Sequence, residues 1–356
     1  MGTCKTSEIN ATAYAFYKLP NAEVVTQIFQ STPPNIVKDL SDLTHSTQGF
    51  VIAPFDCGEN DTLLIVAEHI KQIALADFPK HFSPCCQQGA KPLNFENEDR
   101  NTYEHHFHNC HALLQSGAIN KIVLSHTKQI AIENSINSER IFIHACQKHP
   151  NCYIALWHTP QTGTWLTITP EVLLEKTADN AYHTVALAGT MPLSEGNEAA
   201  HWSDKNIAEQ TYVADYIDTE LRKLGVSPSR AELKTIQANH LQHLCTDFHF
   251  TTNVALGTLL KQLHPTPAVC GTPKQTTLQA ISAIETHKRK YYAGFSGPIN
   301  LIGETNCYVT LRCAQWNEPT SINLYAGGGL IIDSQLKDEW AEVKSKMQTA
   351  YSAVCQ

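Results

Sequence analysis

The alternation of apolar and polar positions predicts a strand-rich chain with several long helices. Short apolar runs typical of buried strands occur at 50–55, 62–67, 121–125, 152–157, 164–168, 181–188, 291–299, 306–314 and 321–326. Helical spacing appears at 102–117, 203–224, 274–286 and from about 337 onward, and in the second of these Val213, Ile217 and Leu221 share a face. Because strands far outnumber the helices between them, we expect an α+β fold of mostly antiparallel sheets with helices outside.

The organisation of the chain favours one large unit. Its 356 residues are enough for two domains or for a single one, and no internal repeat or low-complexity tract is apparent. The stretch 82–98 has no clear period and is predicted to be a surface connection. The pattern strengthens from about residue 101. We therefore expect residues 1–100 to be a variable N-terminal part of the same structural domain as residues 101–356.

Composition excludes some classes of partner. Hydrophobic residues make up 42% of the chain and charged residues 17%, with a formal net charge of -8 and no long basic run. Nucleic acid is therefore a poor candidate partner. No apolar stretch approaches the roughly 20 residues of a membrane span, and the segment from Met1 to Glu8 lacks the apolar core of a signal peptide. We expect a cytoplasmic enzyme without a membrane partner.

The cysteines and histidines give weaker signals. The twelve cysteines are scattered without a Cys-x-x-Cys pair, so they are interpreted as reduced core residues. The segment Glu104-His-His-Phe-His-Asn-Cys-His111 could bind zinc if it were folded appropriately. It lacks the spacing of a known zinc motif, however, and it falls within a predicted amphipathic helix.

Four glutamates are candidate ligands of a hard cation. Glu209 and Glu285 fall on the apolar faces of their predicted helices, and Glu339 and Glu342 share one face of the last helix. A buried carboxylate is costly unless it is paired or bound to a metal. Carboxylates that converge from different helices would suit Mg²⁺. The alternative is that each glutamate is simply solvated at a helix end.

Lys121 and Glu171 are candidates for acid–base chemistry. Lys121 shares a strand face with Val123 and Ser125, and a desolvated lysine can serve as a base, whereas a surface lysine would only extend into solvent. The run Thr169-Pro-Glu171 has the form of a helix cap followed by the first two helical positions. On that interpretation, Glu171 could be no more than a carboxylate favoured by the helix dipole.

An arginine and a glycine run are candidate anion contacts. The run Gly327-Gly328-Gly329 ends a strand-like segment, and it could either offer amide donors to an anion or form a flexible turn. Arg312 would share a strand face with Tyr308 and Thr310. It could clasp a carboxylate with two hydrogen bonds, or it could lie on a solvated sheet face.

The order and spacing of eleven short segments resemble the chorismate-utilising enzymes and, among them, the isochorismate synthases. These segments are Lys121-Ile-Val-Leu-Ser125, Thr169-Pro-Glu-Val-Leu-Leu174, Leu187-Ala-Gly-Thr190, Ala208-Glu-Gln210, His264-Pro-Thr-Pro-Ala-Val269, Gly271-Thr-Pro273, Glu285, Tyr292-Ala-Gly294, Leu311-Arg-Cys-Ala314, Tyr325-Ala-Gly-Gly-Gly329 and Glu339-Trp-Ala-Glu342. The resemblance covers roughly residues 102–356, which would form the chorismate-binding catalytic region.

The resemblance implies a fold and a set of roles. Two packed antiparallel sheets would have helices outside and an active site in the cleft between them. Lys121 would be the general base that activates water to attack chorismate at C2, and Glu171 the general acid that protonates the leaving C4 hydroxyl. Mg²⁺ would be the cofactor, bound by Glu209 and Glu339 with Glu342 beside them. The expected substrate contacts are Arg312, the amides of Gly327, Gly328 and Gly329, and the cleft residues Thr190, His264, Thr272, Glu285 and Tyr292.

Some positions depart from the pattern of this family. The usual Lys-Asp-Arg-x-Glu-His segment is Lys205-Asn-Ile-Ala-Glu-Gln210 here. His126 and Met191 replace common arginines, and Lys288 replaces a preferred aspartate. These changes affect the surroundings of the expected catalytic residues more than the reaction class.

Related activities remain as alternatives. Salicylate synthase would form isochorismate and then eliminate pyruvate in a similar pocket. Anthranilate and aminodeoxychorismate synthases use ammonia, but their typical Arg-Asn-Asp-Leu-Gly segment is replaced by Asp218-Thr-Glu-Leu-Arg-Lys-Leu224, so no glutaminase subunit is expected. A non-catalytic domain that binds a small dianion would not need both Lys121 and Glu171. We expect a monomer whose product enters menaquinone or siderophore synthesis.

Overall fold

The computed structural model describes residues 11–78, 93–131, 137–192, 202–238, 241–318 and 320–354. Within them lie nineteen strands and six helices. In chain order these are β1 (Ala13–Lys18), β2 (Val24–Gln30), β3 (Asn35–Val37), β4 (Gly49–Ala53), β5 (Thr62–Ile65), β6 (His69–Ala74), α1 (Asn97–Gln115), β7 (Lys121–Ala131), α2 (Ser138–Lys148), β8 (Tyr153–Thr159), β9 (Gly163–Thr169), β10 (Val172–Ala178), β11 (Ala181–Pro192), α3 (Asp204–Lys223), β12 (Ser229–Arg230), β13 (Lys234–Ala238), β14 (Leu241–Thr251), α4 (Leu256–Leu263), β15 (Gly271–Thr272), α5 (Lys274–Ile284), β16 (Phe295–Ile299), β17 (Asn306–Val309), β18 (Cys313–Glu318), β19 (Ser321–Leu330) and α6 (Leu336–Val354).

The strands form two sheets in which every described pair is antiparallel. The first sheet has nine strands in the order β15-β7-β19-β18-β9-β8-β1-β2-β6. The second has ten strands: nine follow the order β12-β14-β11-β10-β17-β16-β4-β5-β3, and the tenth, β13, pairs with β14. Strands β1, β2 and β6 belong to the first sheet, and strands β3, β4 and β5 belong to the second. The described N-terminal residues therefore form part of both sheets. The α+β prediction is confirmed.

The two sheets pack face to face through aromatic side chains. Tyr153 of the first sheet stacks on Tyr308 of the second with ring centroids 4.2 Å apart. Tyr17 and Phe50 make a similar stacked contact across the interface at 5.9 Å. These rings belong to one buried apolar cluster that extends through both sheets. Such burial is the main force that holds two sheets together.

The helices pack on the sheets and place their apolar faces against particular strands. Helix α3 contacts β11 and β14, α6 contacts β19, and α1 and α5 contact β7. Helix α3 begins after the N-cap Ser203, whose hydroxyl accepts the amide of Asn206. Its buried face includes Val213, Ile217 and Leu221, the three residues that the apolar spacing placed together.

Two local predictions are wrong. Glu171 is not at the start of a helix but lies in the short connection between β9 and β10. The residues after it form β10, which pairs with β17 and β11, instead of a helix. The predicted strand 306–314 is broken into β17 and β18. The break falls at Arg312, whose φ of 46° is left-handed, so this residue does not share a strand face with Tyr308 and Thr310.

Other boundaries also differ from the sequence pattern. The predicted strand 291–299 begins only at Phe295, after a turn through Ala293, whose φ is 62°. Of the predicted connection 82–98, residues 82–92 lie outside the described residues, and α1 already begins at Asn97. Helices α2 and α4, strands β1 to β3, β6, β10 and the long β14 had no prediction.

Among the described cysteines, Cys57 is exposed and the other seven are buried. No described helix is both long enough and apolar enough to cross a membrane.

Candidate active site

A cleft opens where the two sheets meet, and the space in it, counted together with the open solvent at its mouth, is about 660 Å³. Its walls come from both sheets, from α3 and α6, and from four connections. The lining residues are Val123, Pro170, Glu171, Leu187, Ala188, Gly189, Thr190, Glu209, His243, Ala268, Val269, Tyr292, Leu311, Arg312, Ala326, Gly327, Gly329 and Lys346. Seven of them were candidates from the sequence: Glu171, Thr190, Glu209, Tyr292, Arg312, Gly327 and Gly329.

Lys121 is fully buried at the first position of β7, directly behind the cleft residues Glu209 and Gly329. Its Nζ is 3.2 Å from Glu209 Oε1 on α3, within ion-pair distance although not aligned as a hydrogen bond. Glycine at position 329 makes this approach possible. A Cβ there would stand 2.0 Å from Glu209 Oε1 and 2.9 Å from Lys121 Cε. β19 therefore has to carry a glycine where these two side chains meet.

Helix α3 is fixed so that Glu209 faces the cleft. The neighbouring Gln210 is buried and donates to Thr246 Oγ1 on β14 at 2.8 Å. This contact links the first half of the helix to the second sheet. In the family that this sequence resembles, the residue at this position is usually histidine. Gln210 nevertheless makes a contact that sets the rotation of α3 about its axis.

Glu171 is a buried carboxyl group whose proton affinity is unusually high. Its amide donates to Thr169 Oγ1 at 3.1 Å, which shapes the connection between β9 and β10. Burial raises the pKa of Glu171 to about 7, even though the positive charges of Lys121, Lys346 and Arg312 act to lower it. A carboxyl group with this pKa can give up a proton near neutral pH, as a general acid must.

Arg312 is held by a histidine that the sequence reasoning missed. Arg312 Nη2 donates to His243 Nε2 at 3.0 Å, and His243 Nδ1 lies 3.2 Å from Thr190 Oγ1. Burial, together with the charge of Arg312, keeps the pKa of His243 well below its ordinary value. The neutral ring therefore accepts from Arg312 and donates to Thr190. The sequence offered one signal for His243: His243, Cys245 and Asp247 are spaced two apart and so lie on the same face of β14.

The other terminal nitrogen of the same guanidinium, Arg312 Nη1, is a donor available to an anionic ligand. Arg312 is buried, and nothing among the described residues accepts a hydrogen bond from its Nη1. An unpaired buried donor of a charged group is costly, so it is expected to have a ligand as its partner. The cleft beside it is the place from which a carboxylate can reach this nitrogen.

The glycine run lies inside β19 rather than at a turn. Gly327 and Gly329 pair with Ser125 and Val123 of β7. The Val123 amide bonds to Cys270 on the far side of β7. In the alternating pattern of an antiparallel ladder, the amides of Gly327 and Gly329 consequently point away from β7. On that side, β19 pairs with β18 only as far as Tyr325. The amides of Gly327 and Gly329 can therefore donate hydrogen bonds to a ligand.

Lys346 completes this wall of the cleft. Its ammonium donates to the carbonyl oxygen of Gly327 at 3.1 Å and pairs with Glu342 at 2.7 Å. Lys346 was not among the candidate site residues from the sequence. Its side chain is 19% exposed, and its position beside Gly327 gives the cleft lining a second cation besides the buried Arg312.

The charges of three carboxylates, Glu209, Glu339 and Glu342, act on the ammonium of Lys205 beside the cleft. Glu339 is fully buried and pairs with Lys205. Burial lowers the pKa of Lys205, but the charge of Glu339, with that of Glu209 and Glu342, raises it above its ordinary value. Burial raises the pKa of Glu339 to about 7, and the like charge of Glu342 adds to the effect.

These carboxylates have the donor chemistry for Mg²⁺, although they are not arranged as its ligands. No group of three or more potential ligands in the described part of the chain has metal-binding geometry, since Glu209 and Glu339 each face a lysine. Glu339 Oε2 is nevertheless buried without a hydrogen-bond partner among the described residues. The Lys205 ammonium stands in for a cation among oxygen donors, so these residues fit a hard dication.

Besides Lys121, Glu339 and Glu342, four further sequence candidates lie outside the described lining of the cleft. Gly328 faces α6, where its Cβ would stand 3.4 Å from Glu339 Oε2. Thr272 pairs with Lys121 at the edge of the first sheet. His264 is buried and bonds through Nε2 to the carbonyl of Pro54 at 2.9 Å. Glu285 is turned away from the cleft and is bound by Arg289.

The histidine-rich segment of α1 does not form a cluster. His106 and Cys110 are buried, whereas His105 and His108 are exposed on the other side of the helix. His111 instead lies 2.9 Å from the carbonyl of Ile332. The described residues of this segment therefore do not support the zinc alternative.

Comparisons with known proteins identify the family of this chain. The sequence model for the family described as chorismate binding enzyme matches residues 41–355. The chain is 33% identical over 244 residues to the isochorismate synthase MenF of Haemophilus influenzae, and 30% identical over 260 residues to the isochorismate synthase DhbC of Bacillus subtilis. These matches cover 65% and 68% of this chain, but only 56% and 65% of the two relatives.

A solved structure shares the fold. The menaquinone-specific isochorismate synthase MenF from Escherichia coli has a TM-score of 0.77 to this chain at 19% sequence identity. The superposition covers 98% of this chain and 89% of that protein. The likeness therefore includes the described N-terminal strands as well as the region that carries the cleft.

Proposed function

The chain belongs to the chorismate-binding enzymes, and from that premise we propose that it is an isochorismate synthase, which moves a hydroxyl group from C4 of chorismate to C2. The observation that carries the proposal is the pair of buried groups at the cleft, Lys121 and Glu171. One is an amine and the other a carboxyl group with a pKa of about 7. Binding a dianion would not require a buried acid of this kind.

The two residues divide the reaction between them. Lys121 takes a proton from water as its oxygen forms a bond to C2. The ring double bonds shift, the C4–oxygen bond breaks, and Glu171 donates its proton to the departing hydroxide, which leaves as water. One water enters and one leaves, so the net change is an isomerisation. Each positioned group is expected to contribute about 10²–10⁴-fold to the rate.

The carboxylates of the substrate have partners on two sides of the cleft. Arg312 Nη1 and the amides of Gly327 and Gly329 can donate to one carboxylate, and the charge of Lys346 lies beside them. His243 holds the guanidinium of Arg312 from behind. These contacts orient the ring without taking part in proton transfer.

Mg²⁺ is proposed as the cofactor, with Glu209, Glu339 and Glu342 as the residues that would hold it. When bound, it would neutralise a substrate carboxylate. Lys205 and Lys121, which now balance Glu339 and Glu209, would be the charges that it replaces. The protein is further proposed to be a cytoplasmic monomer without a glutaminase partner, whose product enters menaquinone or siderophore synthesis.

The test is incubation of the purified protein with chorismate and Mg²⁺, followed by chromatographic separation of the products. Isochorismate should accumulate without a nitrogen donor, and isochorismate supplied alone should return chorismate. Salicylate with pyruvate as the main products would favour salicylate synthase instead. Anthranilate or aminodeoxychorismate formed with ammonia, in the absence of isochorismate, would contradict the proposal.

A further inference from the structure

Glu285 and Arg289 form a buried ion pair behind the cleft. Arg289 Nε and Nη2 lie 2.8 and 2.6 Å from the two carboxylate oxygens of Glu285. The side chains are 2% and 3% exposed. Desolvation of such a pair offsets much of its Coulomb attraction, so stability alone is a weak reason for it. Its other contacts indicate what it does.

The pair continues the edge of β7 where β15 stops. β15 pairs with only the first two residues of β7. Further along the same edge, the amide and hydroxyl of Ser125 donate to Glu285 Oε1 at 2.8 and 2.9 Å. Arg289 Nη2 donates to the carbonyl of Val123 at 2.6 Å. Side chains thus make the hydrogen bonds that a neighbouring strand would make.

The same pair reaches two further walls of the cleft. Arg289 Nη1 donates to the carbonyl of Val269 at 2.8 Å, and both Val123 and Val269 line the cleft. The opposite edge of β7 pairs with the glycine run of β19, and Ser125 lies beside Gly327. A shift of β7 would therefore move several cleft groups together.

We propose that Glu285 and Arg289 are positioning residues, which hold β7 so that Lys121 and the amides of Gly327 and Gly329 stand in reacting geometry. The pair does this without touching the substrate. The kinetic part of the proposal rests on the proposed isochorismate synthase activity. A misplacement of roughly 1 Å in a catalytic group costs on the order of 100-fold in rate, so a small displacement of β7 is enough to be measured.

The kinetic test compares Glu285→Gln and Arg289→Lys with the wild type. In both variants, kcat should fall at least about tenfold and KM should rise by a smaller factor, because Arg312 and Lys346 still bind the substrate while only the glycine amides shift. Asp218→Asn is the matched control, since it breaks an Asp218–Arg222 pair on the outer part of α3. A raised KM with unchanged kcat would make Glu285 a substrate contact and overturn the proposal, as would wild-type kcat in both folded variants.

Hydrogen exchange of peptide segments tests the same idea without any reaction. Amides of 121–126 and 326–330 should exchange faster in Glu285→Gln than in the wild type, and those of α2 should not change. Unchanged exchange in β7 and β19 would overturn the positioning role. If the wild type makes no isochorismate but exchange still rises, the proposed function fails and the role in placing β7 stands.

Ser125→Ala is a milder variant that keeps the proposal testable if Glu285→Gln or Arg289→Lys does not fold. It removes the contacts of the Ser125 hydroxyl with Glu285 and His287 and leaves both charges of the Glu285–Arg289 pair in place. A smaller loss of kcat at unchanged KM, with faster exchange in β7, supports the proposal. Wild-type kcat together with wild-type exchange overturns it.

Discussion

Lys121 Nζ lies 3.2 Å from Glu209 Oε1, so the proposed base and a proposed magnesium ligand touch each other. The first belongs to β7 of the nine-stranded sheet and the second to α3, which packs on the ten-stranded sheet. Their contact passes over Gly329, where a side chain would collide with both. The acid–base and the metal-binding parts of the site are therefore one unit, and a change in either should affect the other.

Replacement of either proposed proton-transfer residue should stop the chemistry without preventing binding. Lys121→Ala and Glu171→Ala are each expected to lower kcat at least about 100-fold, measured by steady-state turnover of chorismate. The double variant should be little worse than either single one, because the two groups act in one concerted step. Lys128→Ala is the control, since Lys128 lies on the same strand and pairs with Asp99 away from the cleft. More than about a tenth of wild-type kcat in either single variant would remove that residue from its role.

Neutral replacements of the proposed metal ligands should weaken magnesium binding. Glu209→Gln and Glu339→Gln are expected to lower the Mg²⁺ affinity at least about tenfold, because a hard dication prefers charged oxygen ligands. Calorimetric titration with Mg²⁺ measures this directly, and activity at saturating Mg²⁺ gives a second readout. Glu220→Gln lies on the same helix as Glu209 and should bind Mg²⁺ like the wild type, since Glu220 pairs with Lys223. Wild-type affinity in both test variants would place the metal elsewhere.

The activity should decline on the alkaline side of neutrality. Glu171 must carry a proton to act as an acid, and its pKa is raised to about 7. Above that pH the protonated fraction falls about tenfold per unit, so kcat/KM should fall with it. The measurement is a profile of kcat/KM from about pH 6 to about pH 9. The residual activity of Glu171→Gln should lack this alkaline limb, and a wild-type profile without the limb would contradict the assignment.

A methyl group at position 329 should disrupt the contact between Lys121 and Glu209. In Gly329→Ala the new Cβ would overlap Glu209 Oε1, so the carboxylate has to move, and kcat should fall roughly tenfold or more. Gly328→Ala provides the comparison in the same strand, because its Cβ would meet Glu339 Oε2 at 3.4 Å, an ordinary contact. Gly328→Ala should therefore retain more activity than Gly329→Ala. Equal losses would mean that β19 tolerates no side chain here for some other reason.

One surface turn offers a gain in stability far from the cleft. Leu301 and Glu304 close a two-residue turn whose central residues, Ile302 and Gly303, have φ values of 53° and 77°. A β-branched residue is strained there, whereas asparagine tolerates a left-handed backbone. Ile302→Asn should raise the free energy of unfolding by about 1 kcal/mol in denaturant titration. Gly303→Ala should lower it, and a loss of stability in Ile302→Asn would show that the Ile302 side chain makes a compensating contact.

The sequence by itself determined the class of fold and most of the chemical inventory. Short apolar runs outnumber helical segments, and this count is enough to predict antiparallel sheets. The helix that carries Glu209 was predicted within a residue or so of its observed ends, because its apolar spacing is regular. Lys121, Glu171 and Arg312 could be named because their segments keep a characteristic order. The order of these segments therefore supplied the candidate residues, whose roles stay predictions.

Only the tertiary structure decided which of these residues meet. Glu285 was expected in the cleft, yet it faces Arg289, because α5 ends before it and the chain turns back. His243 had no prediction, but the pairing of β14 with β11 brings it to Thr190 and Arg312. These contacts join residues that are far apart in the chain. Strand register and sheet order set them, and no local period encodes either one.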